Sequence, residues 1–106
     1  MRLRTGTLAA PALIDLEVLS VLRRLSMAGR ISQSRAELAI MDLSALPLAR
    51  AGHEPPLQRC WEFRSNLAVY DAAYVALAEL LGVPFLTAGA RLSRSPGIRC
   101  VIELLR

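Results

Sequence analysis

A chain of 106 residues, 54% of them apolar and with a net charge of +4, is sized for one small domain and too apolar for a disordered segment. Every basic residue is an arginine, and they are scattered from Arg2 to Arg106. The charge therefore reads as a dispersed soluble surface with general attraction for polyanions, not as one phosphate-binding stripe. Cys60 and Cys100 form neither a disulfide framework nor a C-x-x-C pair, so two partly buried thiols in a reducing cytoplasm are expected. No apolar run approaches the ~20 residues that span a bilayer. Arg2 and Arg4 ahead of LAAPALI hint at a signal peptide, but Asp15 and Glu17 interrupt the run too early.

In chain order, residues 1–10 are weakly patterned, and Pro11 suits the first turn of a helix. Leu13, Leu16, Leu19, Leu22 and Leu25, with Ile14, Val18 and Val21, predict a helix to about Ala28, capped by Gly29. Ser32 and Ser34 can each cap the next helix, and Ser34-Arg35-Ala36-Glu37 fits a capping box. That helix runs to about Ala45. A short strand at Pro47–Arg50 precedes a turn-rich loop, and Pro56 can start a helix carrying Trp61 and Phe63. Tyr70–Leu81 is the best helix of the chain, Ala-rich and opened by an acid, with Gly82 as its stop. Val83–Ala88 and Ile98–Leu104 read as buried strands. Between them lie one helical turn at Ala90–Arg94 and a turn at Ser95-Pro96-Gly97. Helices alternating with short apolar strands imply an α/β domain with a parallel sheet.

Three segments carry a resemblance: Ala10–Arg24 (APALIDLEVLSVLRR), Tyr70–Leu81 (YDAAYVALAELL) and Phe85–Leu92 (FLTAGARL). In this order and spacing, across nearly the whole chain, they resemble the VapC-type PIN-domain toxins. The resemblance implies an α/β, PIN-like fold over residues 1–106, a parallel sheet flanked by helices. It also implies the toxin component of a toxin–antitoxin pair, a cytoplasmic endoribonuclease using Mg²⁺ or Mn²⁺, homodimeric and bound by a cognate antitoxin. Family members hold the metal with a cluster of acids, usually four. By position, Glu17 matches the second and Asp71 the third. The fourth position is Gly89, where the family strand resembles T-A-D-x-x-L. The first acid belongs to an opening strand resembling V-V-D-A-S, near the middle of the family's sheet. That strand has no counterpart in this sequence. Ala68 stands where a Ser or Thr often caps the Asp-bearing helix.

Each residue also has a plain reading. Glu17 shares a helix face with Val21 and Arg24, and such a face is ordinarily just solvated. Asp71 in the first turn gains ~0.3–1 kcal/mol from the helix dipole alone. An acid at the mouth of an otherwise apolar helix, however, calls for a partner or a cation. Thr87 is either a plain strand-end residue or a group that holds a ligand or water. Arg24 is a candidate for phosphate or for pairing with Glu17. His53 stands alone in a Pro-rich loop and reads as surface, while Tyr70, Tyr74 and Trp61 read as core in preference to base-stacking platforms. Glu17 and Asp71 suffice for weak Mg²⁺ binding, since this hard cation keeps several waters. Two missing acids imply strongly reduced cleavage or none. The rival to an impaired endoribonuclease is a catalytically inactive module that still dimerises or captures the antitoxin.

Overall fold

The computed structural model describes residues 8–87 and 89–105, with the elements β1 (Leu8–Pro11), α1 (Ile14–Met27), α2 (Gln33–Ala45), β2 (Leu48–Ala51), α3 (Leu57–Glu62), α4 (Val69–Leu81), β3 (Phe85–Thr87) and β4 (Ile102–Leu104). A 3₁₀ turn at Ala90–Arg94 links β3 to the approach of β4. The chain divides into two units. Residues Ala12–Pro47, the α1–α2 hairpin, form one; β1 together with everything after Pro47 forms the other.

In the helical hairpin, α1 stops where the chain turns left-handed at Gly29 (φ 71°). Gly29 N–H reaches the Ser26 carbonyl (3.0 Å) and Arg30 N–H the Leu25 carbonyl (2.9 Å), so two carbonyls left over at the helix end are satisfied. Helix α2 starts differently from the capping-box expectation. Ser32, not Ser34, is the cap, its hydroxyl accepting from Arg35 N–H at 3.2 Å. Ser34 instead lies one residue inside the helix, its hydroxyl 3.3 Å from that of Ser32. In these two helices Ala36 is the buried residue, while Leu16 of the expected α1 stripe is exposed, as are Leu38 and Met41 of α2.

In the other unit the expected parallel pairing is present, but as two separate pairs. β1 pairs with β2, with Leu8 opposite Leu48 and Pro11 opposite Ala51. β3 pairs with β4, with Phe85 opposite Ile102 and Thr87 opposite Leu104. Pro11 thus ends a strand and does not open a helix. A strand end tolerates a residue that has no N–H to donate. The weakly patterned start contains this strand because Leu8–Pro11 is too short to display an alternation. β4 begins at Ile102, later than expected, and Glu103 and Leu104 are exposed, so it is not a buried strand. Of the expected strand Val83–Ala88, Ala88 lies outside the described residues, and Phe85–Thr87 are strand.

Helix α4 organises this unit. It packs on α3, β1 and β3, and buries Ala72, Ala73, Val75, Ala76, Leu77 and Ala78. Small alanines let strand and helix backbones approach closely, and Ala9 and Ala10 of β1 are buried with them. The helix ends as α1 does: Gly82 is left-handed (φ 67°) and Val83 N–H closes on the Ala78 carbonyl at 3.1 Å. Tyr74 then stacks on Phe85 with ring centroids 5.8 Å apart. Leu80, near the end of the helix, is exposed.

Two features hold β4 in place. Phe85 N–H donates to Val101 O (2.9 Å) and Leu105 N–H to Thr87 O (2.8 Å). Glu79, near the end of α4, accepts from Arg59 Nε (2.7 Å) and Nη2 (3.2 Å), and from Arg99 N–H (2.7 Å). Arg59 Nη2 also donates to the Gly97 carbonyl at 2.6 Å, and its guanidinium lies 4.1 Å from the centre of the Phe63 ring. One ion pair thus ties α3, α4 and the segment entering β4 together.

Candidate active site

Asp71 sits in the first turn of α4, half-buried, on a helix whose N-cap residue Ala68 gives no side-chain hydrogen bond. The first N–H groups of this helix therefore lack the usual hydroxyl cap, and the carboxylate stands where the helix dipole is positive. Only Gly82–Pro84 join α4 to β3, and Tyr74 already stacks on Phe85. Thr87 ends the strand that follows, and Gly89 lies two residues beyond it.

At that strand end the backbone turns on a side chain. Gly89 N–H donates to Thr87 Oγ1 at 3.0 Å. The Thr87 hydroxyl thus fixes the loop that carries the fourth family position. Gly89 itself has φ −91° and ψ 107°, ordinary extended backbone. A Cβ built there meets Thr87 Oγ1 at 3.6 Å, an ordinary contact. Neither backbone conformation nor space demands glycine at this point, so an aspartate side chain is sterically admissible.

Glu17 lies in the first half of α1, half-buried, and Arg24 in its last turn, exposed. Both belong to the α1–α2 unit, whereas Asp71, Thr87 and Gly89 belong to the other. Within α1 the sevenfold spacing keeps Glu17 and Arg24 on one side of the helix. Among the described residues no three His, Cys, Asp or Glu side chains gather into a metal-binding group. His53 is exposed, as expected, and Cys60 and Cys100 are free, half-buried thiols whose pKa values burial pushes up. A cleft of about 470 Å³ is lined by Ala78, Glu79, Gly82, Arg99 and Cys100, at the end of α4 opposite to Asp71.

Two features escaped the sequence reading. The Arg59–Glu79 pair could be suspected only from an acid inside the apolar run AAYVALAELL, and nothing in the sequence named its partner. Trp61 and Tyr70, read as core, are each 66% exposed, whereas Tyr74 is half-buried. The short helix α3 turns Phe63 inward (2% exposed) and so leaves Trp61, two residues earlier, on the outside.

No protein-family model and no solved structure matches the chain. Curated relatives do. It is 44% identical to ribonuclease VapC1 of Mycobacterium tuberculosis over 98 residues, 92% of this chain and 74% of the relative. It is 40% identical to ribonuclease VapC12 of the same organism over 104 residues, 98% of this chain and 81% of the relative. It is 38% identical to the VapC ribonuclease Mb0985 of Mycobacterium bovis over 98 residues, 92% of this chain and 77% of the relative. Among the described residues, no helix is long and apolar enough to cross a membrane. With identity of this level along most of its length, on parallel strands flanked by helices, the chain belongs to the VapC-type PIN-domain ribonuclease toxins.

Proposed function

We propose that this protein is the toxin component of a type II toxin–antitoxin pair, an endoribonuclease of the PIN type whose cutting centre is impaired. The observation that carries this reading is the 44% identity to a VapC ribonuclease, combined with a glycine where the family's last acid stands. Glu17 and Asp71 are the residues that would hold Mg²⁺ or Mn²⁺. Their oxygen donors are of the kind such hard cations take, and one or two carboxylates plus substrate phosphate can complete the coordination. When bound, the cation supplies Lewis acidity toward a phosphodiester. Asp71 contributes charge at a helix N-terminus. Thr87 orders the loop after β3 through Gly89 N–H. Arg24 is assigned to a phosphate of the RNA.

The impairment follows from what the chain lacks. Gly89 brings only backbone where the family's fourth acid stands. The loss of an outer partner of a metal site already costs about 10–100-fold in affinity or activity. Loss of a direct ligand costs more. The second reading is an inactive module that binds the antitoxin or dimerises. It is favoured by the same glycine, and by the exposed apolar side chains of α1 and α2.

Purified protein incubated with single-stranded RNA and Mn²⁺ or Mg²⁺ tests the first reading. Weak, chelator-sensitive cleavage that disappears in Glu17→Gln and Asp71→Asn is expected. Cleavage that persists in both variants refutes the assignment. No cleavage, together with a stable complex with the neighbouring-gene antitoxin, establishes the second reading.

A further inference from the structure

We infer that Trp61 and Arg64 form a stacking platform for a base of single-stranded RNA, an inference that rests on the ribonuclease reading above. Trp61 is the chain's one tryptophan, and two-thirds of it is open to solvent. An indole buries more apolar surface than almost any side chain, so leaving it exposed in a small domain forgoes stabilisation. The Arg64 guanidinium lies 4.9 Å from the centre of the Trp61 ring, and Arg64 Nη1 donates to the Trp61 carbonyl at 3.1 Å. This second bond fixes the arginine against one face of the indole. The guanidinium is thereby held beside the indole, and most of the ring stays open to solvent.

The chemistry that fits such a surface is planar, aromatic and attached to negative charge. A nucleic-acid base has a π-face for the indole, and its phosphate meets the arginine. An unpaired strand satisfies both requirements, whereas a duplex hides its base faces. Position agrees with this occupant. Trp61 is at the carboxyl end of α3, and Asp71 is at the amino end of α4, the next helix, joined through the turn in which Asn66 and Leu67 N–H close on the Phe63 carbonyl. Exposed Tyr70 lies beside Asp71 on the same stretch. A base seated on Trp61 anchors the strand within a few nucleotides of that acid. Because stacking tolerates any base, the platform gives affinity and positioning without strong sequence choice.

The lone tryptophan makes the test direct. Intrinsic fluorescence is followed while a short single-stranded oligoribonucleotide is added in chelator and low salt, with labelled-RNA anisotropy reporting binding independently. The expected result is strong quenching by the single strand, little by the same sequence as duplex, and an affinity reduced about tenfold or more in Trp61→Ala. Trp61→Phe, which keeps a stacking ring, should retain most of the affinity. Circular dichroism verifies that both variants fold. The platform is overturned if RNA binds without changing Trp61 emission, or if no RNA binds. It is equally overturned if Trp61→Ala leaves RNA affinity intact and instead dissociates a self-associated species. Quenching without cleavage under any metal keeps the platform and defeats the ribonuclease reading. Cleavage undiminished in Trp61→Ala does the reverse.

Discussion

Replacing Glu79 with glutamine removes one charge and keeps the shape. The carboxylate is 10% exposed and its partner Arg59 is 19% exposed, so solvent only partly screens the pair. Three donors converge on it: Arg59 Nε, Arg59 Nη2 and Arg99 N–H. Glutamine offers one acceptor oxygen and places an NH₂ group where the other oxygen was, facing donors. Arg59 keeps Glu62 (3.0 Å) and the Gly97 carbonyl. The loss is therefore less than the full cost of an orphaned buried charge, about 2–3 kcal/mol. For a domain of this size that lowers the melting temperature by roughly 10–20 °C. The effect also depends on pH. Burial opposes ionisation of Glu79, but the hydrogen bonds from Arg59 and Arg99 outweigh it, and the net pKa is lowered. A carboxylate with a lowered folded-state pKa contributes its stability above the unfolded-state value and loses it as pH falls through the folded-state value. Thermal melts of wild type and Glu79→Gln should therefore differ by a constant amount near neutral pH and converge in acid as pH falls through the lowered folded-state value. A difference under about 0.5 kcal/mol at neutral pH, the range of an ordinary surface substitution, would refute the reasoning. So would a difference that stays unchanged in acid.

Gly89→Asp should leave stability within about 0.5 kcal/mol, because the backbone there is extended and a Cβ has room. Calorimetric titration should nevertheless show tighter Mn²⁺ binding, because the new carboxylate adds a charged oxygen donor of the kind this cation takes. The isolated 106-residue chain should melt at a temperature that rises with protein concentration, because β1 and β3 each have hydrogen-bonded neighbours on one edge only among the described residues. A sharp, concentration-independent melt of a monomer contradicts this. Gly82→Ala should cost about 1 kcal/mol by chemical denaturation, as an alanine is forced into the left-handed region (φ 67°).

Legibility in the sequence followed the range of the interactions. Both glycine-terminated helices, the turn at Gly97 and the Asp71-bearing helix could be read because helix stops and Ala-rich runs are local signals. β1 could not, since Leu8–Pro11 has meaning only opposite Leu48–Ala51. The same limit applied to Glu79: its acid was visible, its partner twenty residues upstream was not. Trp61 was misplaced because aromatic residues are usually buried, and only the helix phase set by Phe63 decides which of the two turns outward. Asp71, Thr87 and the glycine at position 89 were singled out through family resemblance, not through periodicity. The hydrogen bond that orders Gly89 through Thr87 needed the structure.

The separation of β1 from β2 along the chain has a kinetic meaning. Parallel strands require a crossover, and here the whole α1–α2 hairpin, Ala12–Pro47, is that crossover. Until it folds, pairing Leu8 with Leu48 means closing a long floppy loop, and each doubling of such a loop costs about 0.6 kcal/mol. An antiparallel helical hairpin brings its two ends together before the strands meet. Its contacts are local and form quickly, while the strand pairing is remote in sequence. The Gly29 turn and the Ser32 cap, which shape the hairpin, then bear on how readily β1 finds β2. Modest burial in the hairpin is compatible with this role, because pairing depends on how often the two ends meet and not on how firmly the helices are held.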